Sequence, residues 1–312
     1  MVEVDNLTKR YGDMLAIDGV TFEAREGEIL AFLGKNGAGK TTTMRIMTGF
    51  MAPTSGTVRI NGADIREDSV EARRQIGYLP ETAPLYDDMT VRGYLAFCAR
   101  LRGVPGGAVE KRVSEIMEAV HIAGRRDWII GKLSKGLRRR VALAQALVHN
   151  PKILILDEPT EGLDPEQIIE IRHLIQGLRG DHTVILSTHI LHEAQMLADR
   201  IVIIHQGRLV AVDTAQNLTA TVQSVQRLRL EVAGPAEAVR ARLEAISGVQ
   251  RVEHLDDGRF IVESDRDVDL RDQLAATVVE AGWGLRALDR IEPTLEDIFL
   301  QITGAKREPV AA

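Results

Sequence analysis

One short segment constrains this 312-residue chain more than any other. Gly34-Lys35-Asn36-Gly37-Ala38-Gly39-Lys40-Thr41 fits the spacing G-x-x-x-x-G-K-[ST]. It follows an apolar run, Glu28–Leu33 (EILAFL), and precedes a helical pattern. A strand must therefore feed a tight turn that opens a helix. Glycines at 34, 37 and 39 let the backbone wrap closely round a phosphate chain. Successive N–H groups, with the positive end of the helix, then face the anion. Lys40 is placed to reach the β- and γ-phosphates, and the Thr41 hydroxyl is a Mg²⁺ ligand. The competing reading, a glycine-rich turn of purely structural purpose, is disfavoured by the full match in its strand–helix context.

The length is a soft prior for two domains. Residues 1–217 contain short apolar strands followed by helical patterns, the sign of a mostly parallel α/β sheet. Ile153–Leu156 (ILIL), Val184–Leu186 and Ile201–Ile204 read as strands buried on both faces. Tyr11–Glu26 and Gly56–Ile60 alternate and read as antiparallel strands. From about Glu81 to Lys132 the pattern turns helical, with Val91–Leu101 and Gly107–Val120 separated by Gly103, Pro105 and Gly106. Residues 218–312 read strand, helix, strand, strand, helix, strand: Arg227–Val232, Pro235–Ile246, Val249–His254, Arg259–Ser264, Leu270–Gly282 and Gly284–Leu288. That order is the ferredoxin-like split pattern. Asp256, Asp257 and Gly258 suit its hairpin. A closing helix, Pro293–Ile302, and a disordered tail from Gly304 are expected beyond it.

Composition narrows the function classes. The net charge is −6, which speaks against a non-specific nucleic-acid binder. The single cysteine, Cys98, excludes an intrachain disulfide. The N-terminus lacks the apolar stretch of a signal peptide, and no apolar run is long enough to span a bilayer. Any membrane part is expected from another chain.

Two carboxylates, Asp157 and Glu158, stand at the end of the apolar run Ile153–Leu156. Strand C-termini are where parallel sheets bind ligands. There Asp157 is a candidate Mg²⁺ ligand and Glu158 a candidate general base. Further on the chain carries Leu133-Ser134-Lys135-Gly136-Leu137, a loop entering a helix with Ser134 as N-cap. Ile76-Gly77-Tyr78-Leu79-Pro80-Glu81, Glu161-Gly162-Leu163-Asp164 and Ser187-Thr188-His189 complete the set. In this order the motifs resemble those of ABC transporter ATPases: phosphate loop, Q-loop, LSGGQ signature, carboxylate pair, D-loop and switch histidine. Taken alone, Tyr11 reads as a half-exposed strand aromatic, His189 as a hydrogen-bonded core histidine, and Arg138, Arg139 and Arg140 as a solvated helix face.

The resemblance implies a fold and a chemistry. Residues 1–217 are expected to form a P-loop ABC ATPase domain of mixed sheet with a helical subdomain at about 81–140. Residues 218–312 are expected to form a small α+β ferredoxin-like domain without catalytic motifs. ATP and Mg²⁺ are the implied ligands. Tyr11 stacks on adenine; residues Gly34 to Thr41, together with Thr42, hold the phosphates; Thr41, Asp157 and Glu81 hold the metal; Lys40, Glu158 and His189 are catalytic. Ser134, Gly136 and Asp164 contact ATP across an interface. With one motif set per chain, that interface needs a second copy or a close paralogue. The chain departs from the common pattern at Glu81 (usually glutamine), Lys135 (glycine), Leu137 (glutamine) and Glu161 (a small or amide residue). LSKG with YLPE, and the closing Pro293–Thr303 (PTLEDIFLQIT), resemble the ABC-2 exporter branch. Gly77–Thr90 looks most like its gliding-motility members. The implied role is the ATPase subunit of an exporter, peripheral at the cytoplasmic face of the inner membrane. A separate ABC-2 permease would dock near 81–103, with Leu85, Tyr86 and Met89 as groove candidates. The alternative is a soluble ABC ATPase acting on ribosomes or DNA, but this chain has neither tandem motif sets nor an inserted coiled coil.

Overall fold

The computed structural model describes residues 1–222, 225–256, 258–265 and 268–291. The chain divides into two compact units, Met1–Ala215 and Gln216–Ala312. The expected closing helix and tail lie outside the described residues.

The first unit holds two sheets. Six strands stand in the order Arg208–Asp213, Arg200–His205, Ile29–Leu33, Thr183–Thr188, Ile153–Leu156 and Ile76–Leu79. All neighbours are parallel except the first pair, which is a hairpin. The central strands Ile29–Leu33, Thr183–Thr188 and Ile153–Leu156 are buried at every residue, as their unbroken apolar runs require. An antiparallel sheet stands in the order Met14–Ala24, Val2–Tyr11, Ser55–Ile60 and Ala63–Asp64. Both sheets feed one core: Val4, Phe22 and Val58 from the second, Phe32, Ile155 and Val202 from the first. Met44, Ile46 and Met47 of the helix Lys40–Met47 join it. Phe22 and Phe32 meet edge to face with centroids 4.8 Å apart.

The N-terminal expectation needs correction. Tyr11 does not begin a strand; it ends Val2–Tyr11, and the next strand starts at Met14. Asn6 sits at φ 46° and the register with the neighbouring strand slips between Val4 and Leu7. That bulge breaks the alternation that would have announced the strand. In the helical part, Val91–Leu101 and Val109–Ala119 are present, with Thr90 Oγ1 accepting from Gly93 N–H at 3.1 Å as N-cap. Residues 80–90 form no helix.

The second unit is a four-stranded antiparallel sheet in the order Val249–His254, Arg259–Asp265, Val225–Ala233 and Gly284–Ile291. With the helices Ala236–Glu244 and Arg271–Glu280, this is the split βαββαβ arrangement. Leu228, Leu230 and Val232 alternate into its core with Phe260, Val262, Leu243 and Leu274. Gly258 has φ 76°, and a Cβ there would lie 2.4 Å from the Val232 carbonyl oxygen. Asp257 of the hairpin lies outside the described residues.

Candidate functional site

The phosphate-type loop leaves the central strand Ile29–Leu33 and closes on the helix Lys40–Met47. Gly39 caps that helix at φ 107°, and Gly37 has φ 81°. These are left-handed conformations that suit glycine. A Cβ on Gly34 would lie 2.5 Å from the Ile204 carbonyl oxygen, so this turn requires glycine too. Lys40 is only 5% exposed. Its Nζ donates to the Gly34 carbonyl at 2.7 Å and to that of Lys35 at 3.4 Å, and pairs with Glu158 Oε1 at 3.2 Å. The ammonium is thus held at the mouth of the loop by groups that an anion competes with.

The carboxylates stand at the end of Ile153–Leu156, beside that loop. Asp157 is fully buried. Its Oδ1 accepts from Ser187 Oγ at 2.6 Å and from Thr41 Oγ1 at 3.3 Å, while Oδ2 has no partner. A buried, unpartnered carboxylate oxygen beside a threonine hydroxyl offers the hard oxygen donors that a divalent cation takes. Glu158 sits at φ 47°, uncommon for a non-glycine residue. Its N–H donates to Ser187 Oγ at 2.9 Å, and its Oε2 lies 3.1 Å from His189 Nδ1. One serine therefore fixes both acids, and Glu158 is bracketed by Lys40 and His189.

Ten of the residues singled out in the sequence line one cleft of about 480 Å³. They are Tyr11, Asn36, Gly37, Gly39, Lys40, Thr41 and Thr42 on one side, and Glu81, Glu158 and His189 on the other. Tyr11 is 40% exposed, with its hydroxyl 2.8 Å from Met51 Sδ. Gly34, Lys35 and Ala38 belong to the loop without lining the cleft, and Asp157 lies beneath it. Ser134, Gly136 and Asp164 are not brought there. Ser134 caps the helix Lys135–Leu147 by accepting from Leu137 N–H at 3.4 Å. Asp164 caps Pro165–Gln176 by accepting from Gln167 N–H at 2.9 Å.

Residues 17–161 match the family described as ABC transporter. The Nod factor export ATP-binding protein I of Ralstonia nicotianae is 34% identical over 97% of this chain and 94% of its own length. The bacitracin transport ATP-binding protein of Bacillus licheniformis is 33% identical over 97% of each chain. The linearmycin resistance ATP-binding protein of Bacillus subtilis is 31% identical over 97% of this chain and 98% of its own. The chain belongs to the ABC transporter ATPase family. A solved dimeric bacterial ABC transporter cassette is similar at TM-score 0.63 and 27% identity, covering 69% of this chain and 98% of that one. The same cassette is also solved in a post-hydrolysis state bound to ADP and phosphate.

This ABC ATPase carries site features that sequence reasoning missed. The cleft is also lined by Met14, Leu15, Ala16, Gln206 and Gly207, from two hairpins distant in sequence. Gly207 has φ 78°, and a Cβ there would lie 2.7 Å from the Ala16 carbonyl oxygen, so glycine lets the hairpins meet. The isolated Gln206-Gly207 turn after an apolar strand was the available signal. The arginine run is a correction. Arg139 and Arg140 are 8% and 6% exposed, so they are no solvated face. Arg140 pairs with Glu170 and donates to the Val120 carbonyl. Arg139 donates to the carbonyls of Pro80, Glu81, Asp157, Glu158 and Pro159. The signal for both lies in the helix period: buried residues recur at Gly136, Arg139, Arg140, Leu143, Ala144 and Leu147.

Proposed function

We propose that this ATPase is the motor subunit of an ABC-2 type exporter, acting as a dimer beneath a separate membrane permease at the cytoplasmic face. The observation that carries the reading is the division of the site. Loop, carboxylates and His189 line one cleft, whereas Ser134, Gly136 and Asp164 cap helices outside it. A nucleotide in the cleft meets those three only if a second copy, or a close paralogue, supplies them. The named roles of the relatives, Nod factor export and bacitracin transport among them, support export. Among the described residues no helix is long and apolar enough to cross a membrane, which is compatible with a permease on another chain.

In this reading Tyr11 receives the adenine and residues 34–42 the phosphates. The phosphates take over the Lys40 ammonium now paired with Glu158. Glu158, released from that pair, accepts a proton from the attacking water while His189 orients it. Thr41, Asp157 Oδ2 and Glu81 are the residues to hold Mg²⁺, which supplies charge neutralisation at the β- and γ-oxygens.

Glu158→Gln protein tests the reading. In Mg-ATP it should sediment as a dimer, and from solubilised native membranes it should co-purify with a polytopic membrane protein in stoichiometric amount. A monomer at saturating Mg-ATP would sink the shared site. Ribosomal or DNA-bound partners in place of a permease would overturn the transport assignment in favour of the soluble alternative.

A further inference from the structure

We infer that Arg139 is a positioning residue that ties the Glu81 segment to the backbone of Glu158, so that the general base is placed only when both segments are in register. The inference rests on the reading of Glu158 as that base.

Five carbonyl oxygens converge on this one guanidinium. Nε donates to Pro159 O at 2.8 Å; Nη1 donates to Pro80 O at 3.0 Å and Glu81 O at 2.7 Å; Nη2 donates to Asp157 O at 2.9 Å and to Glu158 O. Arginine has five N–H donors in a fixed plane, and all five are engaged. The carbonyls come from two loops, at sequence separations of 20 and 59 residues from Arg139. One loop follows the edge strand Ile76–Leu79, the other its neighbour Ile153–Leu156. Beyond the strand ends only Asp157 N–H to Leu79 O, at 2.8 Å, joins these loops through backbone, so the arginine is their main cross-link. The left-handed backbone at Glu158 is held on both sides, its N–H by Ser187 and its carbonyl by Arg139.

The charge is as specific as the geometry. Burial disfavours the cation, and the nearby carboxylates Asp157, Glu81, Glu158 and Glu161 favour it. Glu81 and Glu161 are two of the positions where this chain carries an acid in place of the common residue. Arg139 is thus the counter-charge that lets those acids sit beside the carboxylate pair. Arg139 does not itself line the nucleotide cleft, so it acts through Glu158 and Glu81 and not on the nucleotide.

The test uses Arg139→Lys and Arg139→Met in the full chain, compared with Glu158→Gln. Fluorescent ATP binding should stay within about threefold of wild type, and KM should change little. The kcat should fall roughly 10-fold or more in both variants, with lysine giving no rescue, because a point charge cannot hold five carbonyls. In a Glu158→Gln background the arginine substitutions should add almost nothing to the loss. Wild-type kcat in Arg139→Lys, or an equal further loss in the Glu158→Gln background, would overturn the relay alone. Wild-type kcat in Glu158→Gln would overturn the parent reading and the relay with it. A readout that needs no variant covers failure to fold. On adding a slowly hydrolysed ATP analogue to wild type, hydrogen exchange at residues 81–83 and 158–161 should change together. A change confined to 158–161 would overturn the tie.

Discussion

The two units bury different things. The first buries charge: Lys40, Asp157, Glu158, Arg139, Arg140 and Glu193 all lie inside it. Each is answered, Glu193 for example by Arg172 at 3.2 Å and by the hydroxyls of Thr160 and Thr188. In the second unit the buried polar groups among the described residues are Gln226 and Ser264. Its ion pairs, such as Arg229–Asp289 and Arg240–Glu244, lie at the surface, where such pairs contribute little. Buried charge is costly unless paired, and a fold keeps it where chemistry or coupling needs it. The contrast teaches that the first unit is built round a reaction and the second round packing alone. Removing a buried charge should therefore cost activity in the first unit, whereas in the second only removal of apolar bulk should matter.

The largest effect expected is that of Lys40→Ala. It removes the cation that answers Glu158 and faces the phosphates. Steady-state ATP hydrolysis should fall by roughly 10²–10³-fold, the scale for losing one well-placed donor to a developing anion. Hydrolysis within a few fold of wild type would break the comparison at its root. Phe260→Ala should do the converse. Phe260 is fully buried among Leu228, Leu230 and Val262. Its loss should destabilise the second unit by about 3–5 kcal/mol, read by denaturant unfolding. ATP binding should be unchanged, because every residue lining the cleft belongs to the first unit.

What was legible in the sequence was local. The phosphate loop is written in glycines whose backbone conformations need no distant partner, and Gly37 and Gly39 adopt them. The buried strands were legible because full burial leaves an unbroken apolar run. The second unit was legible because alternation and helix period persist along each of its elements. What escaped depended on tertiary context. The strand Val2–Tyr11 was hidden by its bulge at Asn6. The cleft wall of Leu15, Ala16, Gln206 and Gly207 joins hairpins that only the folded sheets bring together. The arginines at 138–140 share a composition but not an environment. Arg138 faces Asp87 at the surface, while the next two turn inward on the same stripe as Leu143 and Leu147. Charge type suggested solvent; helix phase decided otherwise.

The smallest effect is one of pH, and it sharpens the comparison because it should belong to the first unit. His149 receives a hydrogen bond-length contact from one ring nitrogen only, Nε2 at 3.1 Å from the Ile76 carbonyl. Nε2 is therefore the protonated nitrogen, and Nδ1 is buried with no partner. Adding a proton there means charging a buried, unanswered atom. Burial first, and then the positive charge of Arg102, push its pKa down to about 4. An unfolded histidine takes its proton near 6.5. Between those values the unfolded chain binds more protons than the folded one, so stability must fall as pH drops from about 6.5 toward 4. Above about 6.5 the group contributes no pH dependence. The thermal midpoint of the first unit should therefore decline over that acid window, and His149→Gln should flatten the decline. Equal acid sensitivity in His149→Gln and wild type would assign the response to other groups and leave the burial of charge in this unit without a pH signature.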